Sequence, residues 1–177
     1  MNRTYLSSDD SELLRKAVES FSGNSCMEMG IGYGSILLEL KDQFQNVAGT
    51  DITLTEGFRT LRGRGIDLLV TDRASCFRGG SFDLVVMNPP YLPSETIVDR
   101  TVDGGIGGFE VAKGFLQDAL RVVRPRGTML VVLSSESSKF AFERFCIENR
   151  LVTKQVLSKS IFFETLTVYE LRLDGTV

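Results

Sequence analysis

Hydrophobic positions along the chain alternate between two patterns. Short, nearly continuous apolar runs are separated by longer stretches in which apolar residues recur three and four apart, which is the signature of strands and helices alternating in a mostly parallel sheet. The spacing predicts a helix opening at Asp9 or Asp10, with Glu12 completing a capping box and Leu13, Leu14, Ala17, Val18 and Phe21 on one face. Residues 25–29 read as a first strand, 30–34 as a glycine turn and 35–41 as the helix that follows it. A strand over 46–51, a helix over 53–61, and strands over 66–70 and 82–87 come next. Residues 88–108 form a long connection rich in Pro and Gly, and connections of that length inside a compact unit are usually functional. Helical spacing returns over 109–123 and is expected to end at Pro125 and Gly127, before a very apolar strand over 128–133. A helix over 137–149 and strands over 152–157 and 165–173 complete a single expected domain, 1–177, with helices on both faces of its sheet.

Composition narrows this picture by exclusion. With 177 residues, 42% hydrophobic and 24% charged, the chain can bury a core without disulfide or metal staples. No apolar run approaches the roughly 20 residues that span a bilayer, and the polar, acidic start carries no apolar signal core, so a cytoplasmic location is expected. Three scattered cysteines, Cys26, Cys76 and Cys146, suggest neither a disulfide framework nor a metal knuckle. The absence of histidine rules out the usual catalytic triads and common zinc hydrolase sites, and no metal is expected. A net charge of −3 argues against tight nonspecific binding to nucleic acid. The two arginine clusters, at 59, 62 and 64 and at 121, 124 and 126, read as solvated faces.

The first chemical signal is Glu28-Met29-Gly30-Ile31-Gly32-Tyr33-Gly34, after a strand and before a helix. Glycines there let a ligand lie against bare main chain. A glycine turn alone also suits a dinucleotide, but Glu28 would repel a pyrophosphate and attract an ammonium or sulfonium, and position 35 is Ser where the dinucleotide fingerprint needs its last glycine. Asp51 at the end of the second strand can accept from both hydroxyls of a ribose, and Asp72 at the end of the third from the exocyclic amine of an adenine, with Arg73 covering the ring. One such Asp is ordinarily a turn former. Three carboxylates in register at consecutive strand ends point to a nucleoside cofactor.

Asn88-Pro89-Pro90-Tyr91 carries the sharpest signal. The prolines fix φ and remove backbone donors, leaving a stiff arm that offers carbonyl acceptors. If the Asn88 side-chain oxygen and the Pro89 carbonyl each accept one hydrogen of an NH₂ group, the nitrogen is oriented toward a methyl donor, and Tyr91 can stack on a planar amide or base. Orientation and electrostatic stabilisation then suffice without a strong base.

These motifs together resemble the HemK family of glutamine-amide methyltransferases, and most closely its short archaeal and eukaryotic branch, which lacks the N-terminal helical domain of bacterial members. The resemblance extends to Ser8-Asp9-Asp10-Ser11 with Leu13 and Leu14, to the segment from Asp103 through Glu110, and to Glu164-Thr165-Leu166. It departs from the family pattern at Leu6, Ser7 and Asp9. The resemblance implies a class I S-adenosylmethionine-dependent methyltransferase fold, Rossmann-like, with a seven-stranded mostly parallel sheet, one antiparallel strand and an N-terminal helical segment (1–24) over the cofactor. It implies S-adenosyl-L-methionine as cofactor, contacted by Ser11, Glu28, Gly30, Gly32, Asp51, Ile52, Asp72, Arg73 and Asn88. Asn88, Pro89, Pro90 and Tyr91 would hold the substrate, with Asn88, Pro89 and Tyr91 catalytic. The implied substrate is the glutamine of the Gly-Gly-Gln loop of a translation release factor, and the implied partner is a small zinc-binding activator protein covering an apolar surface beside the sheet.

On the residues alone, an adenine N6 amine in DNA or RNA suits the same arm, although acidic charge and the lack of a target-recognition domain count against it. A binding module without catalysis would leave the arm unexplained, and so would a nicotinamide-dependent oxidoreductase.

Overall fold

The computed structural model describes residues 8–99 and 101–175. Seven strands, β1 (Gly23–Met29), β2 (Phe44–Asp51), β3 (Asp67–Val70), β4 (Phe82–Met87), β5 (Val123–Ser134), β6 (Leu151–Ile161) and β7 (Glu164–Leu173), form one sheet in the order β3-β2-β1-β4-β5-β7-β6. The first five strands run parallel, while β7 is antiparallel to both β5 and β6. This is the class I methyltransferase arrangement expected from the sequence. The chain leaves β1 toward β2 and β3 on one side and returns to β4 and β5 on the other. The switch therefore lies between β1 and β4, where open α/β sheets form their ligand crevice.

Five helices, α1 (Asp9–Val18), α2 (Ser35–Leu40), α3 (Glu56–Leu61), α4 (Glu110–Val122) and α5 (Lys139–Glu148), accompany the sheet. One apolar cluster packs Leu14, Leu37 and Leu61 against Leu84, Val86 and Leu130, and the other packs Ala112, Leu116 and Phe145 against Met27, Val85 and Val131. Alternate residues of β1, β4 and β5 thus enter opposite layers, which is why these strands are apolar throughout. In α1 the buried residues Leu13, Leu14, Ala17 and Val18 make the predicted stripe. Its first turn is acidic and its last turn basic, matching the helix dipole. No helix among the described residues is long and apolar enough to cross a membrane.

Five expectations need correction in whole or in part. The capping box does not form: Ser8 is the N-cap, its hydroxyl bonds Ser11 Oγ at 3.0 Å, and Glu12 pairs with Lys16 instead. The helix over 53–61 begins only at Glu56, because Thr55 is extended and the Gly57 amide reaches back to the Gly32 carbonyl at 2.8 Å. Pro125 and Gly127 do not separate helix from strand but lie within β5. Pairing shifts there from Phe82 with Val123 to Leu84 with Thr128, so that five steps along β5 face two along β4. An irregularity of that kind can house a proline without costing a ladder bond. The strand over 152–157 runs on to Ile161, making a long hairpin with β7. Arg59, Arg62 and Arg64 are exposed as expected, whereas in the second cluster Arg121 donates to the Ala74 and Phe77 carbonyls and Arg124 bonds Asp83.

Candidate functional site

Register sets the site. Met29 pairs with both Thr50 and Met87, and Asp51 pairs with Val70, so Gly30, Asn88 and Asp51 leave the sheet at neighbouring positions on the carboxyl edge of β1, β4 and β2. The glycine turn is tied to β2 by the amides of Gly30 and Ile31, which donate to the Thr50 carbonyl at 2.8 and 3.1 Å. Gly30, Gly32 and Gly34 all have positive φ, the region that disfavours side chains. Space decides the rest: a Cβ on Gly34 would meet Leu61 at 2.7 Å, whereas one on Gly32 would meet nothing within 4 Å. The turn is closed beneath and open outward.

The carboxylates take distinct states. Glu28 is 2% exposed and its Oε2 has no partner. Burial, reinforced by the charge of Asp51, holds its carboxyl well above the usual carboxylate range, and a hydrogen bond from the Leu37 amide opposes this only in part. Asp51 accepts from the Gly32 amide at 3.2 Å, so it braces the turn as well as bordering it. Asp72 lies two residues beyond the end of β3, exposed, and accepts from Arg73 at 3.3 Å. Arg73, at φ 47°, turns its guanidinium to Asp118 of α4 at 2.9 Å. Ile52 is half exposed, and Ser11 sits partly buried on α1 with its amide bonded to Asp10.

At the end of β4, Asn88 is partly buried and Pro89 fully buried, and Asn88 Oδ1 is a second buried acceptor without a partner. Leaving such an acceptor unpaired costs about 1–3 kcal/mol. Two orphans on adjacent strand ends, one of them a carboxylate oxygen, suit a ligand that brings a cationic ammonium and N–H donors. That chemistry matches the amino group of S-adenosylmethionine and the NH₂ of an amide. The residues present therefore fit this cofactor.

The arm is held from three sides. The Tyr91 hydroxyl donates to Asp10 of α1 at 3.2 Å, and Ser137 Oγ donates to the Tyr91 carbonyl at 3.3 Å. Behind it runs the glycine segment: a Cβ on Gly108 would meet the Tyr91 carbonyl oxygen at 2.3 Å and one on Gly104 its backbone at 2.8 Å. Beyond the arm, the Leu92 and Gly104 amides donate to the Val102 and Leu92 carbonyls at 2.9 and 2.7 Å. Burial, then the charges of Asp10 and Glu164, pushes the Tyr91 hydroxyl up, so it stays a donor throughout neutral and mildly alkaline pH.

Sequence reasoning did not assign Asp10, Gly57, Asp118 or Ser137 to this site. Gly57 was detectable only by knowing that α3 approaches the turn, and the other three act through contacts 44 or more residues apart in the chain, such as Asp118 on Arg73 and Ser137 on Tyr91. The proposed site residues from β1, β2, β4 and α1 do converge, whereas the exposed Asp72 and Ile52 lie on the outer margin.

No family model matches the chain. A release factor glutamine methyltransferase of Caulobacter vibrioides is 28% identical over 144 residues, covering 70% of this chain and 50% of that protein. A Methanocaldococcus jannaschii protein named as a protein N5-glutamine methyltransferase is 26% identical, covering 74% of this chain and 72% of its own. The chain thus spans about half the length of the bacterial relatives it matches. Among solved structures, a chain of the E. cuniculi Mtq2–Trm112 complex, described as responsible for methylating the termination factor eRF1, superposes with TM-score 0.78 at 25% identity, covering 96% of this chain and 98% of that one. The 16S rRNA methyltransferase RsmC of T. thermophilus shares the fold at TM-score 0.69 and 23% identity, covering 98% of this chain and 40% of that one. Fold, site and these similarities together make the chain similar to the release factor glutamine methyltransferases, on a class I methyltransferase fold.

Proposed function

We propose that the protein transfers a methyl group from S-adenosylmethionine to the side-chain amide nitrogen of a glutamine in a translation release factor. The observation that carries this reading is the unpaired, buried Asn88 Oδ1 on a proline-stiffened arm beside the glycine turn. When bound, the cofactor supplies an electrophilic methyl on a sulfonium. Glu28 and the Gly30–Gly32 main chain would receive its amino acid end, Asp51 its ribose, and Asp72, Arg73 and Ile52 its base, with α1 and Ser11 covering it. Asn88 Oδ1 and the Pro89 carbonyl would each accept one N–H of the acceptor amide, turning the nitrogen toward the methyl, while Tyr91 and Pro90 exclude water from its face. Orientation supplies most of the acceleration, which is consistent with a chain that has no histidine.

A small activator protein is part of this proposal, prompted by the E. cuniculi relative, which is described in a complex with a second protein, Trm112. The edge strand β3, beside a groove lined by Leu54, Phe58 and Leu68 together with Glu56, Arg59 and Arg62, offers a mixed apolar and charged surface that such a partner would cover.

The test is incubation with methyl-labelled S-adenosylmethionine and either a release factor or an oligonucleotide, with and without a candidate activator, followed by mass mapping of the labelled site. Label on the release-factor glutamine supports the proposal, and label entering only the oligonucleotide overturns it in favour of adenine N6. Asn88→Ala is expected to abolish transfer with cofactor binding nearly intact, and Asp51→Ala to weaken cofactor binding first.

A further inference from the structure

The β6–β7 hairpin ends in two consecutive phenylalanines, Phe162 and Phe163, that are 106% and 97% exposed. Isolated exposed apolar residues are ordinary, but adjacent, fully solvated aromatic rings at a turn are not. The backbone adds a second anomaly. Phe162 has φ 34°, in the region that turns normally fill with Gly or Asn. A bulky aromatic there costs both strain and hydration in the free chain, and neither ring is covered by a described residue.

The tip lies beside the arm. The hairpin base is fixed by Glu164, which accepts from Ser134 Oγ, and by the Ser135 amide on the Thr165 carbonyl at 2.9 Å. A few residues on, Ser137 holds the Tyr91 carbonyl and the Ser138 amide holds the Gly107 carbonyl at 2.8 Å. Residues 134–138 thus bridge the hairpin to the 88–108 connection, and Tyr91 lies between them. That connection exposes its own apolar groups: Val98 is 85% and Ile106 79% exposed. Two apolar rims therefore flank the mouth of the site.

Among the described residues between the rims, carboxylates outnumber cations. Asp9, Asp10, Glu136 and Glu164 stand on the hairpin side, and Asp99, Asp103 and Glu110 on the other. Two of the described cations are engaged, Lys159 by Asp9 at 2.7 Å and Lys139 by Glu143 at 3.6 Å. A phosphate backbone would be repelled here, whereas a protein segment with apolar side chains among basic ones complements the surface.

We infer that Phe162 and Phe163, with the exposed Val98 and Ile106, form the docking rim that seats a basic, apolar-bearing segment of the folded substrate protein beside its acceptor glutamine. This rests on the function proposed above. Docking would also repay the exposed rings, since aromatic anchors in desolvated positions carry much of the binding energy at protein interfaces.

The test is the double variant Phe162→Gly with Phe163→Ser, compared with the unaltered chain in the same active form, on an intact release factor. Glycine suits the positive φ, so the melting temperature should hold or rise, and cofactor affinity should be unchanged. KM for the release factor should rise at least about ten-fold with kcat within about two-fold, the equivalent of losing one interface anchor. Raising salt should increase the KM of the unaltered chain as the acidic field is screened. An unchanged KM overturns the docking rim, as does a rise matched by lost cofactor affinity. A loss of self-association without a change in KM overturns it in favour of a second copy as the occupant, and a gain in KM for an oligonucleotide alone in favour of nucleic acid. If the unaltered chain methylates no release factor, the function proposed above fails first and this inference with it.

Discussion

The hydroxyl of Tyr91 donates to the carboxylate of Asp10 at 3.2 Å, joining the arm after β4 to the first helix across 81 residues of sequence. Because α1 is proposed to cover the cofactor and Tyr91 to face the acceptor amide, this bond couples the two halves of the site. A hydrogen bond from a neutral hydroxyl to a carboxylate contributes up to about 1.5–3 kcal/mol, and less where it is only partly buried, as here. Tyr91→Phe and Asp10→Asn should each destabilise the chain by roughly 1 kcal/mol, and the double variant should cost less than their sum. The measurement is chemical denaturation of all four forms. Additive losses would show that the two side chains are neighbours without being coupled.

Glu28 sets a pH dependence whose sign follows from its burial. Its folded-state carboxyl is raised above the ordinary value of 4.5, first by desolvation and then by the Asp51 charge. The native chain therefore holds a proton that the unfolded chain releases, and stability falls as pH rises from about 4.5 through the folded value. Glu28→Gln removes this penalty. Its melting temperature should exceed that of the unaltered chain at neutral pH, and the gap should close toward pH 4. Cofactor affinity should move the opposite way, falling in the variant, because the orphaned Oε2 is the proposed partner of the cofactor's ammonium. Calorimetry against pH and titration with S-adenosylmethionine separate the two effects.

Gly108 is where the glycine segment meets the arm. With φ +67° and only 2.3 Å between a built Cβ and the Tyr91 carbonyl oxygen, Gly108→Ala must move the backbone of one or the other. The cost is expected at about 1–3 kcal/mol in stability. Transfer should fall more than cofactor binding, since Tyr91 would be displaced while the glycine turn stays intact. Gly32→Ala is the control: its Cβ meets nothing within 4 Å, so its φ of +47° is the only strain, and cofactor binding is the property it should reduce.

How much of this was visible beforehand depended on whether the determining contacts were local. The expected 82–87 strand matches to the residue because Phe82–Met87 is apolar except for Asp83 and is bounded by Ser81 and the Asn88-Pro89 stop. The glycine turn and the arm were equally clear, since Gly and Pro dictate local backbone. Local rules failed where a distant partner decided the outcome. Pro125 and Gly127 look like a break but fit inside β5 because β4 accepts a register shift there. The helix before β3 starts late because Gly57 must touch Gly32. Glu12 has the spacing of a capping partner, yet Lys16 and Lys159 take its carboxylate. The hairpin tip was missed because nothing in Lys159-Ser160-Ile161-Phe162-Phe163 marks a turn, and a turn built of two phenylalanines is unusual on its own terms.

Arg73 shows how a cofactor contact can depend on a residue outside the site. Its guanidinium is held at 2.9 Å by Asp118, which is only 20% exposed and also pairs with Arg121 at 3.2 Å. Since Gly114 passes close to the same guanidinium, with a built Cβ 2.8 Å from Arg73 Nη1, the side chain is packed against α4. If Arg73 covers the adenine from this position, Asp118 is what orients it. Asp118→Asn should weaken S-adenosylmethionine binding by roughly three- to ten-fold, equivalent to about 0.7–1.4 kcal/mol, while leaving kcat at saturating cofactor unchanged. Arg73→Lys should behave like Asp118→Asn, because an ammonium cannot hold the planar contact and the ion pair together. Titration calorimetry of both variants decides it, and full affinity in Asp118→Asn would mean that Arg73 reaches the adenine unaided or not at all.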